Sequence, residues 1–260
     1  MSLYVYALVD AEPAGALETG LAGEALRAVR CGAVWAVAGE MTAPPRVDAA
    51  SLQAHDGVVR RLAEAADALL PTRFGTQVAD EAALAEALAP RAAALAEALE
   101  KVRGCVQMTL RVFGTEAAPS PTLPRSAGEG APATETRDTD VSGRAEDALS
   151  RASARGRVGE GAFGPGTRYL EARRREHERL ASLPEIEPLR PALRPYLRAE
   201  RVERRAAGLL LGSAFHLVPR PSLADYNAVL EATGGELPGG FRLSWSGPWP
   251  PYAFSSEVTP

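Results

Sequence analysis

Lysine is almost missing from this chain: of 29 basic residues only Lys101 is not arginine, and the arginines are spread along the whole length. Set against 33 acidic residues they leave a formal charge of −4, so no nucleic-acid partner is expected. Cysteine occurs twice, at Cys31 and Cys105, which is too few for a disulfide scaffold. Histidine occurs three times, at His55, His177 and His216, with no two at ligand spacing, so neither a metal nor a cofactor is expected. No window approaches the ~18 consecutive apolar residues of a membrane span, so no membrane partner is expected either. The opening MSLYVYALVDAEP has neither a basic region nor a long apolar stretch, and a cytoplasmic location with free thiols follows as the expectation. No G-x-G-x-x-G, G-x-x-x-x-G-K-[ST] or G-x-S-x-G follows a strand, and the chain is not expected to be an enzyme.

What is present reads as strands and helices in two blocks. Leu3 to Val9 is a β-branched and aromatic run, hence a strand. Two short runs, Leu26 to Arg30 and Ala33 to Gly39, flank Cys31-Gly32 and predict a hairpin. Leu52, His55, Val59, Leu62, Ala66 and Leu69 recur at spacings of three and four, which predicts a helix over 51–70 stopped by Pro71. A second helical stretch covers 80–103, with Asp80 as N-cap, Gly104 after its end, and Pro90 breaking it. From Cys105 to Phe113, Val106, Met108, Leu110 and Val112 alternate with Gln107, Thr109 and Arg111, the pattern of a strand with one buried face. This order predicts an α+β domain over 1–114, an antiparallel sheet with helices on one face.

Residues 115–161 contain no aromatic residue and only four large aliphatics, Leu123, Val141, Leu149 and Val158. Such a segment cannot bury enough apolar surface to offset its ordering entropy, so a disordered linker is expected. A smaller α+β domain is expected over 162–256. It has a mostly polar helix after Phe163, strand structure from Glu200 to Val218 with Gly208 and Gly212 as turn or bulge, a helix capped by Ser222, and a strand over Phe241 to Trp245.

Three places invite a functional reading. His55 lies on the apolar face of its helix, where a catalytic base would need an orienting acid and a nucleophile such as Cys31; a half-buried histidine bonded to a carbonyl or water is the simpler account. In LPTRFGT, Arg73 and Phe74 sit after a helix-ending proline and before a glycine, either as a partner contact or as a structural turn. In GPWPPYAF, three prolines favour an extended path that presents Trp249, Pro250, Tyr252 and Phe254, either as an interface strip or as a seal for the chain's own core. The run Arg173-Arg174-Arg175 is interleaved with Glu171, Glu176 and Glu178, as on a solvated helix face.

The pair LPTRFGT (Leu70 to Thr76) and GPWPPYAF (Gly247 to Phe254) resembles the signature of the gas vesicle protein F/L family (GvpF/GvpL). Tyr4-Val5-Tyr6, His55 ahead of the P-x-R-F-G-T turn, Tyr169-Leu170 and GLLLGSAFHLVPR fit the same resemblance. It implies two domains, the first ferredoxin-like and the second α+β, and an accessory or minor component of gas vesicles. Its implied partners are the small hydrophobic shell protein, whose nucleation and assembly it would support, and other gas vesicle accessory proteins. Arg73, Phe74, Trp249, Pro250, Tyr252 and Phe254 would then be the partner-binding residues. Members often carry an acidic residue in the strand before the linker, where this chain has Gln107. The alternative is a small-molecule-binding regulatory module, a role that ferredoxin-like domains also fill.

Overall fold

Strand β1 (Ser2–Val9) is buried on both faces from Leu3 onward, so it must lie inside a sheet. A computed structural model describes residues 1–14, 17–118, 182–205 and 208–255. In it β1 pairs antiparallel with β3 (Val34–Met41) on one side, and with β4 (Leu69–Pro71) and β5 (Gln77–Val78) on the other. The edge strand β2 (Leu26–Cys31) joins β3 through the expected hairpin, where Gly32 takes a φ of 66°. A register shift between Val5 and Ala7 adjusts the phase of β1. Leu3, Val5 and Leu8 then enter one core, and Tyr4, Tyr6, Ala7 and Val9 another.

Helix α1 (Ala49–Ala65) covers the tyrosine face with Val58, Val59 and Leu62. Helices α2 (Glu81–Leu88) and α3 (Ala92–Val102) cover the other face with Leu84, Leu88, Leu95 and Leu99. The helices are therefore divided between the two faces, not gathered on one as the sequence pattern implied. Asp48 caps α1 by accepting from the Ser51 N–H at 2.8 Å, and Asp80 caps α2 by accepting from Ala83 at 2.8 Å. Pro90 divides α2 from α3 with a 3-10 turn, as its ring requires. The reading of 51–70 as one helix is corrected: α1 ends at Ala65, and Leu69–Pro71 extends to hydrogen-bond with β1. A short apolar run after a helix does not reveal by periodicity alone that a neighbouring strand has captured it.

The second sheet has the order β7-β8-β6-β10-β9. Its centre is β6 (Cys105–Ala118), flanked by β8 (Gly208–Pro219) and β10 (Phe241–Trp249), with β7 (Ala199–Arg204) and the short β9 (Glu236–Leu237) outermost. Sequence order groups β6 with the first block, yet all its ladder bonds lie in the second sheet. It also runs through 115–118, the first residues of the expected linker, and pairs Ala118 with Gly208. Met1–Ala118 and His177–Pro260 accordingly form one compact unit. The rest of the expected linker, the helix after Phe163, Tyr169-Leu170, the Arg173 run and His177 lie outside the described residues.

A one-turn helix α4 (Arg190–Leu193) and α5 (Leu223–Ala232) pack on this sheet, burying Leu193, Tyr226 and Leu230 with Met108, Leu110 and Val112. Ser222 precedes α5, but its side chain makes no capping bond. Gly212 marks the expected irregularity: the register shifts beside it, and a Cβ there would come within 2.8 Å of the Glu203 carbonyl oxygen.

Candidate functional site

The segment after β4 is a loop pinned to β1 through Thr72, Gly75 and Thr76. Thr72 donates its N–H to the Tyr6 carbonyl (3.0 Å) and its hydroxyl to the Val5 carbonyl (2.6 Å). The Arg73 carbonyl accepts from both the N–H (3.1 Å) and the hydroxyl (2.8 Å) of Thr76, closing a tight turn. Gly75 occupies that turn at φ 86°, a left-handed conformation that disfavours any side chain, and donates its N–H to the Tyr4 hydroxyl at 3.0 Å. The turn presents an exposed Arg73 and a half-buried Phe74.

Behind this loop His55 is only 4% exposed. Its ring stacks on Tyr6 (5.5 Å between centroids) and meets Tyr4 and Phe74 edge-on. Tyr4 Oη lies 3.0 Å from His55 Nδ1. That hydroxyl also accepts from the Gly75 N–H, and burial pushes its pKa up, so it keeps its proton. The other ring nitrogen, Nε2, is buried and makes no hydrogen bond of normal geometry. Burial pushes the His55 pKa below its ordinary value, with the Thr72 backbone and Asp56 opposing weakly. His55 is thus fully buried where the sequence implied half-burial, with the Tyr4 hydroxyl on Nδ1 and the Thr72 backbone beside the ring.

The GPWPPYAF segment arrives from the opposite direction. The extended path expected of it is corrected: Tyr252–Phe254 form a 3-10 turn, and Pro250 and Pro251 are buried. Tyr252 donates its hydroxyl to Asp56 Oδ1 (3.0 Å), and Arg60 holds the other carboxylate oxygen at 2.6 Å. Burial and the Asp56 charge push the Tyr252 pKa well up, so the hydroxyl stays a donor. The Arg60 guanidinium also lies over the Trp249 ring, 4.3 Å from its centroid. Ala253 donates its N–H to Gln107 Oε1 (2.7 Å) and accepts from Arg201 at 2.8 Å. Gln107 is thus buried, and its amide oxygen fills the acceptor role that a carboxylate would fill.

These segments enclose a cleft of about 450 Å³ that opens to solvent. Leu52, His55 and Asp56 form its wall on α1, Thr72, Arg73 and Phe74 a second wall, and Arg201, Glu203 and Tyr252 the far side. Leu52, expected in the buried stripe of α1, is instead 45% exposed. The cleft unites Arg73, Phe74 and Tyr252 of the six candidate residues. Trp249 and Pro250 line a separate small recess beside Cys105, and Phe254 packs against the core under α3. Cys31 belongs to the core on the opposite sheet face from His55, and burial pushes its thiol pKa up, so the two do not combine as nucleophile and base.

A second buried histidine escaped the sequence reading. His216 Nδ1 lies 2.8 Å from Tyr226 Oη, and Nε2 lies 3.2 Å from Glu200 Oε1. Arg190 approaches the other Glu200 oxygen at 3.4 Å. The signal was faint: a histidine in an apolar strand, a glutamate on the next strand and a tyrosine on a helix have no fixed spacing. Among the described residues no three His, Cys, Asp or Glu side chains gather as a metal would need, and no helix is long and apolar enough to cross a membrane.

Comparison with known proteins agrees with this architecture. The family model described as gas vesicle synthesis protein GvpL/GvpF matches residues 2–256. The crystal structure of gas vesicle protein GvpF from Microcystis aeruginosa is similar at 16% identity and a TM-score of 0.64, covering 98% of this chain and 99% of that one. GvpF from Anabaena sp. PCC7120 is similar at 15% identity and a TM-score of 0.63, covering 98% and 96%. No curated protein matches by sequence.

Proposed function

The chain belongs to the gas vesicle synthesis protein GvpL/GvpF family, and from that premise we propose that it binds the small hydrophobic shell protein and supports gas vesicle nucleation and assembly. The observation that carries this reading is convergence. Two motif segments about 180 residues apart, 70–76 and 247–254, meet with His55 around one open cleft. The hydroxyls on that cleft are committed to the backbone, Thr72 donating to the Val5 carbonyl and Ser255 to the Tyr252 carbonyl, and neither bonds His55 as a nucleophile would. A binding use needs apolar surface at a solvent-facing wall, and Leu52, Phe74 and Tyr252 supply it.

The physical task suits a protein of this kind. A shell subunit that will face gas exposes apolar surface before assembly, and such surface aggregates unless covered. A folded partner that covers it briefly slows that loss. Within this proposal Arg73, Phe74 and Tyr252 act at the cleft, whereas Trp249, Pro250 and Phe254 hold it in shape.

Capture of co-expressed shell protein by the tagged full chain tests the proposal. Leu52→Ser and Arg73→Glu are the informative variants, because both side chains are exposed and the fold does not lean on them. The parent should retain shell protein, and the variants should lose most of it while unfolding at an unchanged temperature. A parent that retains none would end the proposal.

A further inference from the structure

The charges lining the cleft do not all cancel. Asp56 is engaged by Arg60 and Tyr252, and Glu203 by Arg201 at 3.3 Å. Arg73, on the same cleft, has no ion pair and no side-chain hydrogen bond among the described residues. The turn that carries it is fixed by the bonds of Thr72, Gly75 and Thr76, so its backbone need not be ordered when a partner binds. On the same cleft, the buried His55 ring makes no ion pair and adds no negative charge to oppose the guanidinium. A planar guanidinium is matched by a carboxylate through two parallel hydrogen bonds.

The surroundings choose between a free carboxylate and one carried by a chain. Small ligands are mostly enclosed by their pockets, whereas this cleft is open and walled by a half-exposed leucine. An open, partly apolar trough suits a chain that enters and leaves. We infer that the cleft takes an extended segment of a protein partner in which one carboxylate sits between apolar side chains, with Arg73 as its counter-ion. The inference deepens the functional proposal and rests on the same cleft being the docking site.

The test uses the full-length, ¹⁵N-labelled protein and three probes: the capped peptide acetyl-Gly-Leu-Val-Glu-Leu-Gly-amide, the same peptide with Gln for Glu, and phenylacetate. The Glu peptide should bind and move the His55 imidazole resonances. The Gln peptide should bind at least about ten-fold more weakly, as should the Glu peptide to Arg73→Gln, while Arg73→Lys should recover part of the loss. Equal binding of the two peptides, no binding of either, or binding that leaves His55 unmoved would overturn the inference. Phenylacetate binding as tightly as the Glu peptide would overturn it in favour of a small-molecule carboxylate site. Shell capture without Glu-dependent peptide binding would remove this inference and leave the functional proposal standing. Glu-dependent binding without shell capture would support the inference and remove the shell assignment.

Discussion

Among the described residues each sheet buries one histidine whose Nδ1 meets a tyrosine hydroxyl, and the two pairs are finished differently. In the second sheet His216 is 1% exposed and both its ring nitrogens are engaged, by Tyr226 and by Glu200, which Arg190 approaches in turn. In the first sheet His55 is nearly as buried, yet only Nδ1 is engaged. A completed polar network fixes a core, because every member loses a partner if another moves. The difference separates a histidine locked on both ring nitrogens from one held on a single nitrogen beside an open cleft.

Substitution should show the asymmetry first. His216→Leu leaves the Tyr226 hydroxyl and Glu200 without their partner and should lower unfolding free energy by about 3 kcal/mol in urea titration. His55→Leu takes one of two partners from the Tyr4 hydroxyl, which keeps its bond from Gly75, so it should cost about 1 kcal/mol. Equal costs would break the comparison.

The same asymmetry should appear against pH, in two separate windows. His55 has a folded pKa below its ordinary 6.5, so just below 6.5 the unfolded chain binds more protons than the native one. Stability therefore rises with pH there, and falls as pH drops through 6.5 toward the folded value. Glu200 is held below its ordinary 4.5 by the hydrogen bond from His216. Its contribution is complete above 4.5 and is lost as pH falls from there toward the folded value. Unfolding followed from pH 8 to 3 should show both slopes. His55→Leu should flatten only the upper one, and Glu200→Gln only the lower.

Two smaller effects sharpen the picture of the cleft. Gln107→Leu removes the acceptor for the Ala253 N–H and should cost about 1–2 kcal/mol, whereas Gln107→Glu keeps that oxygen and should be better tolerated at pH 5 than at pH 8. Tyr252→Phe loses one bond to Asp56 and should cost about 1 kcal/mol or less by thermal unfolding.

Much of the local structure was legible. The caps at Asp80 and Gly104, the break at Pro90, the hairpin at Gly32 and the strand over Phe241 to Trp245 depend on neighbours in sequence, and their signals are local. Two misreadings share one cause. Leu69–Pro71 left the helix because β1 offered it hydrogen bonds, and β6 joined the second sheet because β8 and β10 flank it with complementary ladders. Partner choice among strands is set by distant segments. The alternation of β6 misled for the same reason: Gln107 and Thr109 face the polar side but are 4% exposed, since the returning turn of Tyr252–Phe254 covers that side.

By itself the sequence determined most of the longer elements, the α+β class and the two motif segments that carry the family, because helix periodicity, turn glycines and prolines act through short-range backbone geometry. Only the tertiary structure decided that Arg73, Phe74, Tyr252 and His55 share a cleft while Trp249, Pro250 and Phe254 seal other surfaces. It alone brought the Tyr4 hydroxyl to both His55 Nδ1 and the Gly75 N–H, groups that meet only when the loop folds back over β1.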